Sequence, residues 1–145
     1  MTGRLIVSIV FLAVVALASA CSPGPSDEGQ PSLQSTSWTL AALGTEGDLT
    51  PAREEPEATI EFDAGEVSGS AGCNQYFGSY SADKNGTFSV AEVAWTEKAC
   101  PQPGVMEQEQ EFLDILLSAQ TYDVTGATLT VAGSEGQLLF TSAQE

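Results

Sequence analysis

Three cysteines are the residues of this sequence whose surroundings say most about chemistry. Cys21 follows a short apolar run, Cys73 lies in a glycine-rich segment, and Cys100 precedes a Pro-Gln-Pro-Gly run. A cysteine nucleophile needs a neighbouring base, and the sequence contains no histidine. Ser-His-Asp and Cys-His catalysis are therefore excluded, and the commonest zinc ligand is missing.

Cys21 ends a pattern typical of a bacterial lipoprotein signal peptide. Arg4 is the only charge before an apolar run over residues 5–18, and small residues precede the cysteine. A basic start, an apolar stretch too short to span a bilayer comfortably and a small-residue exit form a secretory signal. We expect residues 1–20 to be removed and Cys21 to carry the lipid. The alternative is an ordinary signal peptide or an uncleaved anchor, with Cys21 incidental.

This signal sequence predicts a protein attached to a cell membrane by its lipid and facing outside the cytoplasm, in the periplasm or at the cell surface. The net charge is −16, and all 20 acidic residues follow Cys21. Such a surface repels nucleic acid and anionic lipid head groups, so neither is expected as a main partner. It could attract cations or basic peptides, although solubility alone is a simpler explanation of the acidity.

Cys73 and Cys100 remain as a pair once Cys21 is lipidated. An even pair in an exported protein predicts a disulfide, because the compartment is oxidising. Two buried free thiols, or a reactive Cys73, are the alternatives.

The segment from Gly69 to Tyr80 contains the candidate ligand-binding residues. Asn74 and Gln75 offer amide donors and acceptors, and Tyr76 and Tyr80 offer flat faces, which together could hold a sugar or a peptide edge. The alternative is structural: a tight turn in which Asn74 caps backbone groups. No cofactor or metal is expected.

Catalytic and calcium-binding interpretations find less support. If the strand stays regular through Asp63, Glu61 and Asp63 lie on one of its faces and could act as acid and base, but two carboxylates on an acidic surface are weak evidence. Residues 83–86 (Asp-Lys-Asn-Gly) resemble part of a calcium loop but lack its later ligands, and Asn85-Gly86 suits a type I′ hairpin turn. The protein is therefore not expected to be an enzyme.

The elements that must position these residues follow from periodicity. Residues 21–35, rich in Pro, Ser, Gly and Gln, predict a flexible tether. The folded domain is predicted over residues 36–142, beginning with a strand at Trp38 and followed by a loop rich in Gly and Pro. Further short strands are predicted over 58–62, 66–70, 87–95, 122–124, 128–131 and 138–141, with a bulge near Ala91.

One helix is predicted, from Val105 to about Ser118. Its apolar residues fall near one face at helical spacing and are assigned to core packing; they are Met106, Phe112, Leu113, Leu116 and Leu117. Many short strands with one helix predict an α+β domain: a curved antiparallel sheet, or partial barrel, with one packed helix.

The sequence resembles the META domain family (HslJ type) over about Trp38 to Phe140. Its most specific match is the run Val67-Ser-Gly-Ser-Ala-Gly-Cys-Asn-Gln-Tyr76. The weaker matches are Trp38-Thr-Leu40, Ile60-Glu-Phe62, Gly78-Ser-Tyr80, Thr96, Ala99-Cys100, Glu111-Phe-Leu113, Leu129-Thr-Val131 and Leu138-Leu-Phe140. Many relatives carry a Met shortly before the second cysteine, where this chain has Lys98-Ala99.

The resemblance implies a curved antiparallel sheet with one packed helix and a location in the cell envelope. It implies no activity: members have been linked to heat-shock responses, drug tolerance, secretion and motility. We therefore expect a non-enzymatic envelope lipoprotein that binds an envelope protein or small envelope ligand, or acts in envelope stress. The alternative is a structural or assembly accessory of a larger membrane complex, and an enzyme is a distant third.

Overall fold

The computed structural model describes residues 29–143, so the predicted signal peptide, Cys21 and most of the predicted tether lie outside the described residues. The described chain forms nine strands and one helix, α1 (Val105–Leu117). The strands, in chain order, are β1 (Thr36–Thr45), β2 (Asp48–Pro51), β3 (Thr59–Asp63), β4 (Glu66–Ser70), β5 (Gln75–Ala82), β6 (Phe88–Trp95), β7 (Ala119–Thr125), β8 (Thr128–Gly133) and β9 (Gly136–Ser142).

The strands form one antiparallel sheet that curls into a partial barrel. Their order is β6-β5-β4-β3-β1-β9-β8-β7, and β2 pairs with the end of β1. The two outer strands meet at one end, where Thr87 pairs with Thr121 and the Tyr122 amide donates to the Gly86 carbonyl oxygen at 2.8 Å. The predicted α+β class, a curved antiparallel sheet with one packed helix, is confirmed.

Alternation along the strands determines which side chains enter the core. In β3, Ile60 and Phe62 are buried, whereas Glu61 and Asp63 are exposed, because successive strand residues point to opposite faces of the sheet. The predicted strand pattern is confirmed here and repeats in β8.

α1 packs against β1, β6, β8 and β9. Phe112, Ile115 and Leu116 are at most 1% exposed, as a helix stripe that faces the core should be. The prediction was wrong for the two ends of that stripe: Met106 is 37% and Leu117 is 47% exposed. Each lies one helical step from a buried residue, Val105 or Leu116, so both are at the edge of the stripe and not at its centre.

The chain before β1 packs on the barrel instead of forming a free tether. Leu33 is 2% exposed within the core, and the Gln30 amide donates to the Lys84 carbonyl oxygen at 2.8 Å. The tether predicted for residues 21–35 was therefore wrong for residues 29–35, because one apolar side chain in a polar segment finds a place in the core. We call residues 30–35 the strap.

Two further local predictions differ from the structure, and a third is confirmed. The loop predicted after Trp38 contains β2, which forms a hairpin with β1. Asn85-Gly86 is not a type I′ turn, since that turn needs positive φ at both central residues and only Gly86 has one (φ 85). The bulge predicted near Ala91 is present one position later, where the β5–β6 register shifts and Glu92 has φ 54.

The barrel has two ends, which carry different structures. The strap, the β3–β4 turn and the β5–β6 loop lie at one end, which we call the strap pole. The β1–β2 turn, residues 71–74 and residues 96–104 lie at the other. Because Cys73 and Cys100 lie there, we call it the disulfide pole.

Candidate functional site

The turn between β4 and β5 places Cys73 against the loop that precedes α1. Cys73 and Cys100 form a disulfide, with their Cα atoms 5.9 Å apart. The predicted pairing is confirmed, and Cys73 therefore offers no free thiol in this state. The bond joins the start of β5 to the segment that follows β6.

Asn74 is only 2% exposed, and its side chain is fully occupied by the protein itself. Its Nδ2 donates to Glu109 Oε1 at 2.6 Å and to the Lys98 carbonyl oxygen at 3.1 Å. Its Oδ1 accepts from the Thr96 hydroxyl and from the Lys98 amide, both at 2.7 Å. No donor or acceptor of this amide is left for a ligand, so the structural interpretation of Asn74 is favoured.

Glu109 completes this arrangement from α1, although it is 4% exposed. Besides the Asn74 side chain, it accepts the Asn74 backbone amide on Oε2 at 2.6 Å. A buried carboxylate is costly unless donors surround it, and two charge-assisted hydrogen bonds serve that need here. We call Asn74, Glu109, Thr96 and Lys98 with their hydrogen bonds the Asn74 knot; it fastens the turn, the post-β6 segment and α1 together.

Tyr76 also has a structural role. It is 1% exposed, its hydroxyl donates to the Thr59 carbonyl oxygen at 2.8 Å, and its ring packs on Phe112 with centroids 5.5 Å apart. Gly69 lies beside this bond, and a Cβ there would collide with the Thr59 carbonyl, so the close approach requires glycine. Burial, and then the charge of Glu61, raise the pKa of Tyr76 well above its ordinary value.

Tyr80 and Gln75 lie at opposite ends of β5. Tyr80 is half-buried at the strap pole, packs on Phe62 with ring centroids 4.8 Å apart, and lines a cleft of about 400 Å³ beside the strap. Burial and the charge of Asp63 raise its pKa. Gln75 is exposed at the disulfide pole.

The four residues predicted to bind a ligand, Asn74, Gln75, Tyr76 and Tyr80, therefore do not form one surface. Two are buried and satisfied internally, and the other two lie about 17 Å apart along the strand, as five steps of roughly 3.3 Å require. The prediction of a shared ligand site was wrong because alternation turns neighbouring strand residues to opposite faces.

The structure also shows where the residues of the minor chemical interpretations lie. Glu61 and Asp63 are exposed on one face of β3, and Asp63 Oδ1 accepts from Gln34 Nε2 at 2.7 Å in the strap. The Asp83 carboxylate accepts the Asn85 and Thr87 amides at 2.9 and 3.1 Å, and these hydrogen bonds, that of Thr87 first, lower its pKa. Within residues 29–143, no three His, Cys, Asp or Glu side chains are grouped to hold a metal ion.

A groove beside the Asn74 knot was not predicted. Trp95, at the end of edge strand β6, is 43% exposed, and Met106, in the first turn of α1, is 37% exposed. Together with Leu113 they line an open groove of about 260 Å³, with Glu97 and Lys98 also in its wall. We call it the Trp95 groove. Met106 was predicted to pack in the core, and its position at the edge of the apolar stripe, one residue after buried Val105, leaves it exposed in this groove.

No helix among residues 29–143 combines the length and apolarity needed to cross a membrane.

Comparisons with solved structures identify the same architecture in other proteins. A protein from Burkholderia xenovorans solved by NMR is 23% identical, with a TM-score of 0.66, and the match covers 91% of this chain and 100% of that one. A second NMR structure is 26% identical, with a TM-score of 0.57 and coverage of 74% and 89%. A crystal structure of a DUF4847 family protein from Bacteroides vulgatus is 17% identical, with a TM-score of 0.54 and coverage of 78% and 96%.

No curated protein matches the chain. The sequence profile of the META domain matches residues 31–145, which include most of the strap as well as the barrel. On that match, the chain belongs to the META domain family.

Proposed function

We propose that this protein is a non-enzymatic, lipid-anchored envelope protein whose META domain binds a segment of a partner protein in the Trp95 groove. One observation carries the proposal: two large apolar side chains are exposed over a groove whose walls are held by the disulfide and the Asn74 knot. A rigid wall lowers the entropy that binding must overcome.

The lipid anchor is supported by the order of features at the N-terminus. Arg4, the apolar run and the small residues before Cys21 occur in the sequence that export and lipidation require. The disulfide suits the oxidising compartment to which such a signal leads. Each of these supports an envelope location independently of the groove.

Binding is favoured over catalysis by the state of the reactive groups. Cys73 is in a disulfide, and the Asn74 amide and the Glu109 carboxylate are buried and hydrogen-bonded to each other. A catalytic group must reach the substrate's reacting atom, which these cannot do without breaking the knot. The exposed apolar side chains remain as the distinctive feature of this pole.

The chemistry of the groove indicates one kind of occupant. At about 260 Å³ it falls below the roughly 300–1,000 Å³ of small-molecule pockets, so it suits one large side chain from a protein segment. Glu97 and Lys98 in its wall carry opposite charges, and the net charge of −16 over the whole protein favours positive charge beside that side chain. The occupant is therefore an apolar residue flanked by Lys or Arg.

Photo-crosslinking in native membranes tests this proposal. A benzophenone amino acid replaces Trp95 in the full-length lipoprotein, and the matched control carries it at exposed Thr125 on the strap pole. We expect a discrete adduct from position 95 alone, mapped by mass spectrometry to a segment with Lys or Arg beside a large apolar residue. An adduct common to both positions, or one mapped to a segment without that chemistry, contradicts the proposal.

The anchor has its own test. Intact mass of the protein extracted from membranes should show acyl groups on Cys21, and Cys21→Ser should move the protein to the soluble fraction. An unmodified Cys21 in the membrane-bound protein would remove the lipid anchor from the proposal and leave the groove untouched.

A further inference from the structure

The strap is joined to the barrel along its whole length. Gln30 Nε2 donates to Asp123 Oδ1 at 2.8 Å, and Gln30 Oε1 accepts the Val124 amide at 2.8 Å, so this side chain pairs with β7 much as a strand residue would. The Tyr122 hydroxyl donates to the Pro31 carbonyl oxygen at 3.1 Å. The first half of the strap is therefore fixed on β7.

The second half of the strap crosses to the opposite side of the barrel. Leu33 is 2% exposed in the core, and its buried apolar surface favours the docked strap. Gln34 Nε2 then donates to Asp63 Oδ1 at 2.7 Å, at the β3–β4 turn. The strap therefore spans the strap pole from β7 to β3, and it is part of the domain.

The docked strap leaves a short connection to the lipid. Eight residues, 21–28, lie between the start of the lipidated cysteine and the first described residue. Even fully extended, eight residues reach no more than about 28 Å. The strap pole therefore stays within about 28 Å of the bilayer surface.

The Trp95 groove lies at the other pole. β1 has 10 residues, and at roughly 3.3 Å each, along strands tilted as in a barrel, they set the poles about 25 Å apart. If the groove faced the bilayer with one layer of a partner, about 10 Å thick, beneath it, the strap pole would stand about 35 Å above the surface. That height exceeds the reach of the connection.

We infer that the strap holds the domain with the strap pole toward the membrane and presents the Trp95 groove away from it, to a protein in the aqueous compartment. The inference rests on the lipid anchor proposed above and refines the partner of the same groove. A partner segment lying between the groove and the bilayer is therefore excluded as the occupant. The partner's apolar residue with its flanking Lys or Arg must reach the groove from the side opposite the membrane.

Energy transfer in vesicles tests this orientation. The full-length lipoprotein is reconstituted in phosphatidylcholine vesicles that carry an acceptor dye on a fraction of the head groups. A donor dye is attached to Thr125→Cys, at the strap pole, or to Glu46→Cys, in the β1–β2 turn of the disulfide pole; both sites are exposed. We expect severalfold higher transfer efficiency from position 125.

Two variants test whether the docked strap and its short connection cause the difference in transfer efficiency between positions 125 and 46. Twelve Gly and Ser residues inserted between Glu28 and Gly29 keep every strap contact and lengthen the connection, so the difference between the two positions should largely disappear. Leu33→Asp should do the same by releasing the strap, with Leu117→Asp, on an exposed leucine, as the matched control that leaves the difference intact.

The outcomes distinguish the two proposals. Equal transfer from positions 125 and 46 in the unmodified connection, or a difference that survives the insertion, overturns the orientation while Trp95-dependent crosslinking stands. Loss of all transfer in Cys21→Ser is expected. Unchanged transfer in that variant would overturn the lipid anchor itself, and the orientation with it.

Discussion

The Asn74 knot and the Trp95 groove are neighbours at the disulfide pole, but they differ in which side chains they bury and which they expose. In the knot, polar side chains are buried and every hydrogen-bonding group of the Asn74 amide has a partner. In the groove, Trp95 and Met106 are apolar and substantially exposed. Residues that look reactive in the sequence are thus structural here, and residues that look structural form the accessible surface.

This contrast has a physical basis. A loop that must stay ordered without much apolar material can be fixed by a fully satisfied polar network, because each buried group left unpaired would be costly. A binding surface needs apolar area that water can leave on association. The knot therefore supplies rigidity, and the groove supplies the area that a partner can cover.

Removing the Glu109 carboxylate from the Asn74 knot should cause the largest loss of stability. Glu109→Ala leaves the Asn74 backbone N–H and one side-chain N–H of Asn74 buried without acceptors and should lower the free energy of unfolding by about 4 kcal/mol. Glu107→Ala, in the exposed first turn of the same helix, is the matched control and should cost less than about 1 kcal/mol. Denaturant unfolding measures both, and equal costs would mean that the knot is not a stability element.

The disulfide should contribute slightly less. It closes a loop with a sequence separation of 27, which in the chain-entropy model stabilises the fold by about 3.5 kcal/mol. The double variant Cys73→Ala/Cys100→Ala should lose that amount and keep the same barrel. Intact mass with and without reductant should show a two-dalton difference. An absent difference would show that the bond does not form.

The sequence was sufficient to predict the barrel because its information is periodic. Alternation in β3 and β8 and helical spacing in α1 each specify a buried face locally, so the fold class and the helix were predictable. β2 was missed because Gly44, Gly47 and the nearby prolines are typical of a loop, although they occur in a tight hairpin.

The knot and the strap were not predictable from local pattern. Glu109 lies near the apolar stripe, yet nothing in its neighbours along the chain indicates that Asn74, 35 residues earlier, meets it. Leu33 is one leucine in a segment whose composition is typical of a linker, and its burial depends on a space left at the strap pole by the curl of the sheet. Both depend on contacts distant in sequence.

Tyr76 is another buried polar side chain, and its substitution should have a smaller effect on stability than the two changes above. Tyr76→Phe removes the donor to the Thr59 carbonyl oxygen and should cost about 1 kcal/mol at neutral pH. The folded-state pKa of Tyr76 is raised by burial, so the unfolded chain ionises first. Its contribution is therefore complete below the ordinary value of 10.0 and is lost as pH rises above it.

Unfolding measured from pH 8 to 11 should show this loss in the native protein and a shallower decline in Tyr76→Phe. Tyr122→Phe is a useful comparison, because Tyr122 is also hydrogen-bonded and its pKa is raised, but less strongly. An identical alkaline decline in the native protein and in Tyr76→Phe would assign the decline to other groups.

The smallest stability effect is expected in the groove, and the two tryptophans make it measurable. Trp38 is 7% exposed in the core, so Trp38→Ala should cost about 3–5 kcal/mol by leaving a cavity. Trp95 is 43% exposed, has a free side toward solvent and should cost less than about 1 kcal/mol when replaced by Ala. If Trp95→Ala lowered the free energy of unfolding as much as Trp38→Ala does, Trp95 would be a core residue and the groove would not be a docking surface. A small cost, together with a discrete crosslinked adduct from position 95, would mean that this position contacts another protein while the fold does not depend on its side chain.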